Sequence, residues 1–143
     1  MKITQLSVFA ENRPGRLQEI LGILAKANIN IQTLTIAEVT DFGILRLIVD
    51  RPEEAYQALK AESVTCSRTD VLAIVVENKP GALFRLMEAF SKHQLNIEYM
   101  YAYANPGQAD SIMIFRFENL DAAQTALLAE GIQLVPRSEI HDK

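Results

Sequence analysis

The spacing of apolar positions changes period several times along the first half of the chain. ITQLSVFA (3–10) is a short apolar-rich run that predicts a strand. Leu17, Ile20, Leu21 and Leu24 then recur every three or four residues, the stripe of an amphipathic helix. Pro14 is expected to open that helix, because a missing N–H is no loss at a first helical position. Asn28 to Asn30 end it. IQTLTIAEV (31–39) reads as a second strand, Asp41-Phe42-Gly43 as a hairpin turn, and ILRLIVD (44–50) as the return strand. Pro52 opens a second helix with Ala55 and Leu59 inward. VTCSRTD (64–70) is a last strand that runs towards VLAIVVE (71–77).

The second half repeats the order: strand 71–77, helix 80–93, strands 96–104 and 111–118, helix 120–129 and strand 132–136. The residues repeat as well. ENRPGRLQEILGILAKANINI (11–31) set over ENKPGALFRLMEAFSKHQLNI (77–97) is identical at eight of 21 positions, and those eight include Asn12/Asn78, Pro14/Pro80, Gly15/Gly81 and Asn30/Asn96. GILRLIVDRPEEAYQAL (43–59) lies over SIMIFRFENLDAAQTAL (111–127) after two extra residues, which fall in ANPGQAD (104–110), where Pro106-Gly107 marks a turn. A repeat of this length calls for two domains, 1–70 and 71–143. Each is a βαββαβ unit, an α+β ferredoxin-like sandwich whose antiparallel sheet carries its helices on one face.

Strand alternation divides each sheet into two faces. Leu45, Leu47 and Val49, aligned with Met113, Phe115 and Phe117, should meet the helices. Ile44, Arg46 and Ile48, aligned with Ile112, Ile114 and Arg116, form the other face, with Tyr99, Tyr101 and Tyr103 on one side of the strand before. That second face is too apolar for a solvated one, so packing on another surface is expected. Arg46 and Arg116 are its charges, suited to an interface or to a ligand carboxylate.

Composition narrows the classes of function. Apolar residues at 49% and charged residues at 22% suit a folded domain. A net charge of −4, with 14 Lys and Arg spread along the chain, argues against nucleic acid as partner. No apolar run reaches 18 residues and no leader is read, so no membrane role and a cytoplasmic location are expected. Cys66 is the only cysteine and reads as a half-buried structural thiol in a reducing compartment. His93 and His141 share no ligand spacing with it, so no metal is expected. No nucleophile–base pair or glycine-rich phosphate loop is present, which leaves no catalytic residue and no cofactor to name.

The strand ending in E-N-R/K-P-G-x-L, the helix after it and the N-I step 18 residues beyond the first asparagine resemble the ACT domain, a small βαββαβ module that binds amino acids and regulates metabolic enzymes. The resemblance covers nearly the whole chain, twice. It implies that Asn12 and Asn30, and in the second copy Asn78 and Asn96, grip a bound amino acid. Pro14, Gly15 and Arg16, or Pro80, Gly81 and Ala82, would line the turn. An asparagine amide offers both a donor and an acceptor to a zwitterion, and N–H groups at Gly15, Arg16, Gly81 and Ala82 would add donors and a helix dipole for its carboxylate. Serine-sensing members place a histidine two residues before the first asparagine; Ala10 and Val76 stand there, which favours an apolar amino acid, branched-chain or aromatic, over serine. A structural reading competes for the same residues. Asn12 and Asn78 fit a helix cap or an Asx-turn, and Asn30 and Asn96 a left-handed helix end.

The expected protein is a regulatory binding protein, a homodimer, that senses an amino acid and acts on a separate partner enzyme. The alternatives are an interaction subunit that binds no ligand and a small enzyme on a ferredoxin-like scaffold.

Overall fold

The computed structural model of the chain describes residues 1–38, 40–103 and 109–141. The turn expected at Pro106-Gly107, and Ala104 at the end of an expected strand, lie outside the described residues. The chain divides into two compact units, Thr4–Thr69 together with residues from Ile140 on, and Asp70–Glu139 together with Met1–Ile3.

The first unit runs β1 (Ile3–Glu11), α1 (Arg16–Lys26), β2 (Ile31–Glu38), β3 (Phe42–Val49), α2 (Pro52–Ala61) and the start of β4 (Cys66–Val76). β3 lies between β1 and β2, antiparallel to both, in the registers Leu6↔Leu47 and Leu34↔Leu47. Phe9 N–H donates to Thr65 O at 2.9 Å, and the Ser7 and Thr69 hydroxyls meet at 3.1 Å. Leu6, Val8, Leu45, Leu47 and Val49 enclose a core with Ile20 and Leu24 of α1 and Ala55 and Leu59 of α2. Alternation thus sends one strand face to the helices, as the sequence pattern requires.

The second unit takes the rest of β4 and continues with α3 (Ala82–Lys92), β5 (Ile97–Tyr103), β6 (Ser111–Phe117) and α4 (Leu120–Ala129). β6 lies between β4 and β5, antiparallel to both. Its core adds an aromatic group: Phe90 meets Phe115 and Phe117 edge-on, with centroids 5.3 and 5.1 Å away. The strand expected at 132–136 is not formed as one. Leu134 makes an isolated bridge to Ile74, Val75 N–H donates to Gln133 O and Val135 N–H to Ala73 O. Pro136, with no N–H, cannot extend the ladder, and a short 3₁₀ turn over Arg137–Glu139 follows. At the other expected boundary, 64–70 and 71–77 are not two strands: β4 is continuous from Cys66 to Val76.

The helices begin and end in ways the apolar pattern hides. α1 and α3 start at Arg16 and Ala82, two residues later than a proline-led start predicts. Pro14 is instead the second residue of a turn that Arg16 N–H closes onto Arg13 O at 3.3 Å. Gly15, at φ 85° and ψ −12°, is its third. These are the dihedrals of a type II turn, in which the third residue needs positive φ and proline suits the second. Lys79 to Ala82 repeat it, with Gly81 at φ 82° and a closing bond of 3.2 Å. α2 does start on its proline, Pro52.

Each of the four described helices ends in a left-handed residue: Asn28, Ser63, Gln94 and Gly131. For α1, Asn28 N–H bonds Ala25 O and Ile29 N–H bonds Leu24 O, the paired bonds of a Schellman motif. Gln94 and Leu95 do the same at α3, to Ser91 O and Phe90 O. Gln94 has no local reason to prefer φ 55°, whereas glycine does. Gln94→Gly is expected to stabilise the fold by about 0.5–1 kcal/mol in urea unfolding, and a loss of stability would contradict this.

The helix-free faces are partly buried, as their composition demands. Ile48 and Ile114 are fully buried there, and Ile44, Arg46, Ile112 and Arg116 half-buried. Tyr99, Tyr101 and Tyr103 share that side of the second sheet, opposite Arg116, Ile114 and Ile112. Among the described residues no helix is long and apolar enough to cross a membrane.

Candidate functional site

The type II turn fixes the backbone beyond the end of β1. Asn12 N–H donates to Asp41 O at 3.0 Å, and its side-chain amide lies at the long distance of 3.5 Å from Thr40 O. The position before α1 belongs to Gly15, so Asn12 caps no helix; the same holds for Asn78 before Gly81. The Arg16 and Ala82 N–H groups close the turns and are committed there, which leaves Gly15 and Gly81 as the donors of the expected set.

Around the first turn, charge is locally balanced. Arg16 Nε lies 2.7 Å from Glu11, and Arg13 and Arg16 reach Glu19 at 3.2 and 3.1 Å. The two guanidinium groups hold the Glu19 carboxyl below its ordinary pKa. The Arg16 side chain is thereby tied down beside the turn, whereas Ala82 offers no counterpart in the second unit. There, Lys79 pairs with Glu77 at 2.6 Å and lowers that carboxyl instead.

Beside Asn12 lies a notch of about 400 Å³ lined by Ala10, Leu17, Ile36, Phe42 and Gly43 and also by the charged Glu11 and Arg13. Leu17, expected inward, is 37% exposed, and Ile36 on the edge strand β2 is 50% exposed. Both stand at the rim of the helix-covered face, beyond the reach of the core. The notch could be anticipated only from Ala10 and from Leu17 in P-G-x-L; Ile36 and Phe42 carry no local signal.

Asn30 and Asn96 occupy the far ends of α1 and α3. Neither is the left-handed residue of its helix end, since Asn28 and Gln94 hold that conformation. The Asn30 backbone is fixed on both sides: its N–H donates to Asp50 Oδ1 at 3.0 Å and its carbonyl accepts from Asp50 N–H at 3.1 Å. Its side-chain amide makes no hydrogen bond among the described residues. In the second unit Glu118 N–H bonds Asn96 O, while the Asn96 amide points at the Glu118 carboxylate, 3.4 Å away. A register shift follows each asparagine, between Ile31 and Thr33 and between Ile97 and Tyr99, a bulge that re-aims the strand end.

The two asparagines of one unit are therefore not brought together. The 11 residues of α1 lie between them, a length of about 16 Å at 1.5 Å per residue. An amino acid cannot touch both.

Arg116 is engaged inside its own unit, with Nη1 donating to Asp70 O at 2.8 Å and Nε 3.2 Å from Glu98. Cys66 is half-buried, and burial pushes its thiol pKa up, the opposite of an activated nucleophile.

The likeness to known proteins extends over the whole chain. The model of the ACT domain pair matches residues 1–142. A solved protein of Bacteroides thetaiotaomicron, BT0572, is 41% identical with a TM-score of 0.91, over 98% of this chain and 96% of that one. The regulatory subunit of aspartate kinase from Thermus thermophilus, in a ligand-free form, shares the fold at 18% identity and a TM-score of 0.63, over 90% of each chain. That from Thermus flavus does so at 16% and 0.61, over 88% of each. No curated protein matches in sequence. A duplicated βαββαβ unit with the same turn twice, matched end to end by that model, makes the chain a member of the ACT family, an ACT domain pair.

Proposed function

We propose that the protein is a regulatory sensor of an apolar amino acid and that its working site forms where the Asn12 turn of one chain meets the Asn30 step of a second. The observation that carries this reading is the release of both asparagines from local structural duty. Gly15 takes the helix start, Asn28 takes the helix end, and the Asn30 amide is left to face outward. In a two-fold pair with α1 against α1, the turn of one copy comes beside the N-I step of the other. The ligand's ammonium and carboxylate would then meet two neutral amides and the Gly15 N–H, and its side chain would enter the notch of Ala10, Leu17, Ile36 and Phe42. Exposed Leu34 and Ile36 on the edge strand supply apolar area for such a pairing.

The copies are not equivalent in this reading. Asn96 is already engaged by Glu118, and Ala82 replaces the ion-paired Arg16, so the second unit serves structure or partner contact rather than ligand. The shared fold with regulatory subunits of aspartate kinase supports action on a separate enzyme of amino-acid metabolism rather than catalysis by this chain; a cytoplasmic location is part of the same proposal. Binding that favours one pairing over another is what would carry the signal.

Calorimetric titration tests this. Leucine, valine or phenylalanine is expected to bind more tightly than serine. Asn12→Ala and Asn30→Ala should each weaken binding at least about tenfold, or about 1.4 kcal/mol, while Asn96→Ala leaves it unchanged. Serine as the tightest ligand, or an unaffected Asn12→Ala, would refute the reading.

A further inference from the structure

Ile140 and His141 belong to the first unit although they end the described chain. Both are almost fully buried, each about 1% exposed. Thr4 N–H donates to His141 Nε2 at 3.1 Å, and His141 Nδ1 lies 2.8 Å from Val49 O. A backbone N–H can only donate, so Nε2 must present its lone pair. A carbonyl can only accept, so Nδ1 must carry the proton. The ring is therefore the neutral Nδ1–H form, bridging the start of β1 to the end of β3.

The β3 anchor has a second connection. Asp50, the residue after Val49, holds the backbone of Asn30 through its own N–H and its carboxylate. The terminal ring thus fastens the strand end from which Asn30 is hung.

We infer that residues 140–141 form a strap on the first unit, and that neutral His141 is a positioning residue for the Asn30 step, released when the ring takes a second proton. The second proton would go to Nε2, where it points at the Thr4 N–H, so the ionised ring cannot keep that bond. The unfolded chain has no such conflict, so acid favours the released state. The strap is complete above the range of a free imidazole, near pH 6.5, and loosens as pH falls through and below it. Among the charged side chains on the anchoring elements, Glu11 on β1 pairs with Arg16 at 2.7 Å and Arg46 lies half-buried on β3. Asp50 approaches Arg51 at 3.9 Å besides holding Asn30, and Lys2, next to the start of β1, pairs with Asp121 at 2.6 Å. Glu139 precedes the ring on its own segment.

The link to Asn30 rests on the amino-acid reading above; the strap itself does not. The experiment is amide hydrogen exchange on the full chain without amino acid, alongside ¹⁵N imidazole shifts to follow the His141 ring. Protection at Thr4, Asn30 and Asp50 is expected to fall at least about tenfold between about pH 7.5 and 5.5, after correction for intrinsic exchange. His141→Asn keeps a donor for Val49 O and cannot ionise, so it should retain protection at Asn30 and Asp50 and lose the pH step. His141→Ala should show low protection at both pH values. Protection at Asn30 and Asp50 that ignores both pH and His141→Ala would overturn the inference. A pH step that follows His141 in a protein that binds no amino acid would leave the strap standing and remove the sensing role instead.

Discussion

Phe90→Ala is expected to lower the stability of the second unit by about 3–5 kcal/mol, the range for truncating a buried aromatic. Phe90 is 2% exposed, and its ring stands nearly perpendicular to both Phe115 and Phe117, at interplanar angles of 89° and 81°. Edge-on contacts of this kind add to the area term, so the change removes packing and two ring contacts together. It also leaves a void bordered by two rings that are themselves stacked at 5.8 Å and cannot collapse into it without breaking that arrangement. Urea unfolding followed by circular dichroism gives the magnitude, and hydrogen exchange should place the lost protection in β4 and β6. A loss below about 1 kcal/mol would mean that the aromatic group is not what holds this core. The first unit carries Leu24 at the matching position, so Leu24→Ala should fall lower in the range, at about 2–4 kcal/mol.

Gly15→Ala and Gly81→Ala should each cost about 1–2 kcal/mol, because alanine must adopt the positive φ of the turn. Space does not decide the first case, since a Cβ at Gly15 meets nothing within 4 Å. At Gly81 the Cβ would come 2.9 Å from Arg85 Nη1, the end of a flexible side chain that can swing aside. The two costs should therefore be similar, and a much larger loss at Gly81 would show that Arg85 is held more firmly than its geometry suggests. Asparagine, which tolerates left-handed geometry, should recover part of each loss. Pro14→Ala should do less, since proline acts there mainly by restricting the unfolded chain.

These turns also show why the fold was legible in the sequence and the details were not. A duplicated P-G between a strand and a helix is demanded by geometry, so its recurrence pointed to one fold used twice. Yet proline at the first helical position and proline at the second position of a type II turn look alike in one sequence. Only the φ of the following glycine separates them. The helix ends misled for a related reason. Asn30 and Asn96 stood out by recurrence, while the left-handed residues are Asn28 and Gln94, and a glutamine announces no such conformation. Pro136 marked a weak final strand, but apolar neighbours outweighed it.

The candidate site was legible as a set of residue types and not as a place. Asn12 and Asn30 can be named from the motif, but the length of α1 that separates them is a property of the folded unit. The notch wall at Ile36 comes from strand register, where β2 pairs with β3 and sets this side chain beside a turn 20 or more residues away in sequence, while the Phe42 ring at the edge of the notch stacks on Phe9 at 4.2 Å. The engagement of Asn96 by Glu118, which sets the copies apart, likewise depends on pairing that local pattern does not encode.

The helix between Asn12 and Asn30 has a consequence for how such a molecule would behave in a cell. If the site proposed above forms between two chains, a guest gripped by both amides would favour the pair and the pair would favour the guest, by mass action. Its response threshold would then shift with the abundance of the protein itself. A cell could tune the sensitivity of the switch by how many copies it makes, without changing a single contact.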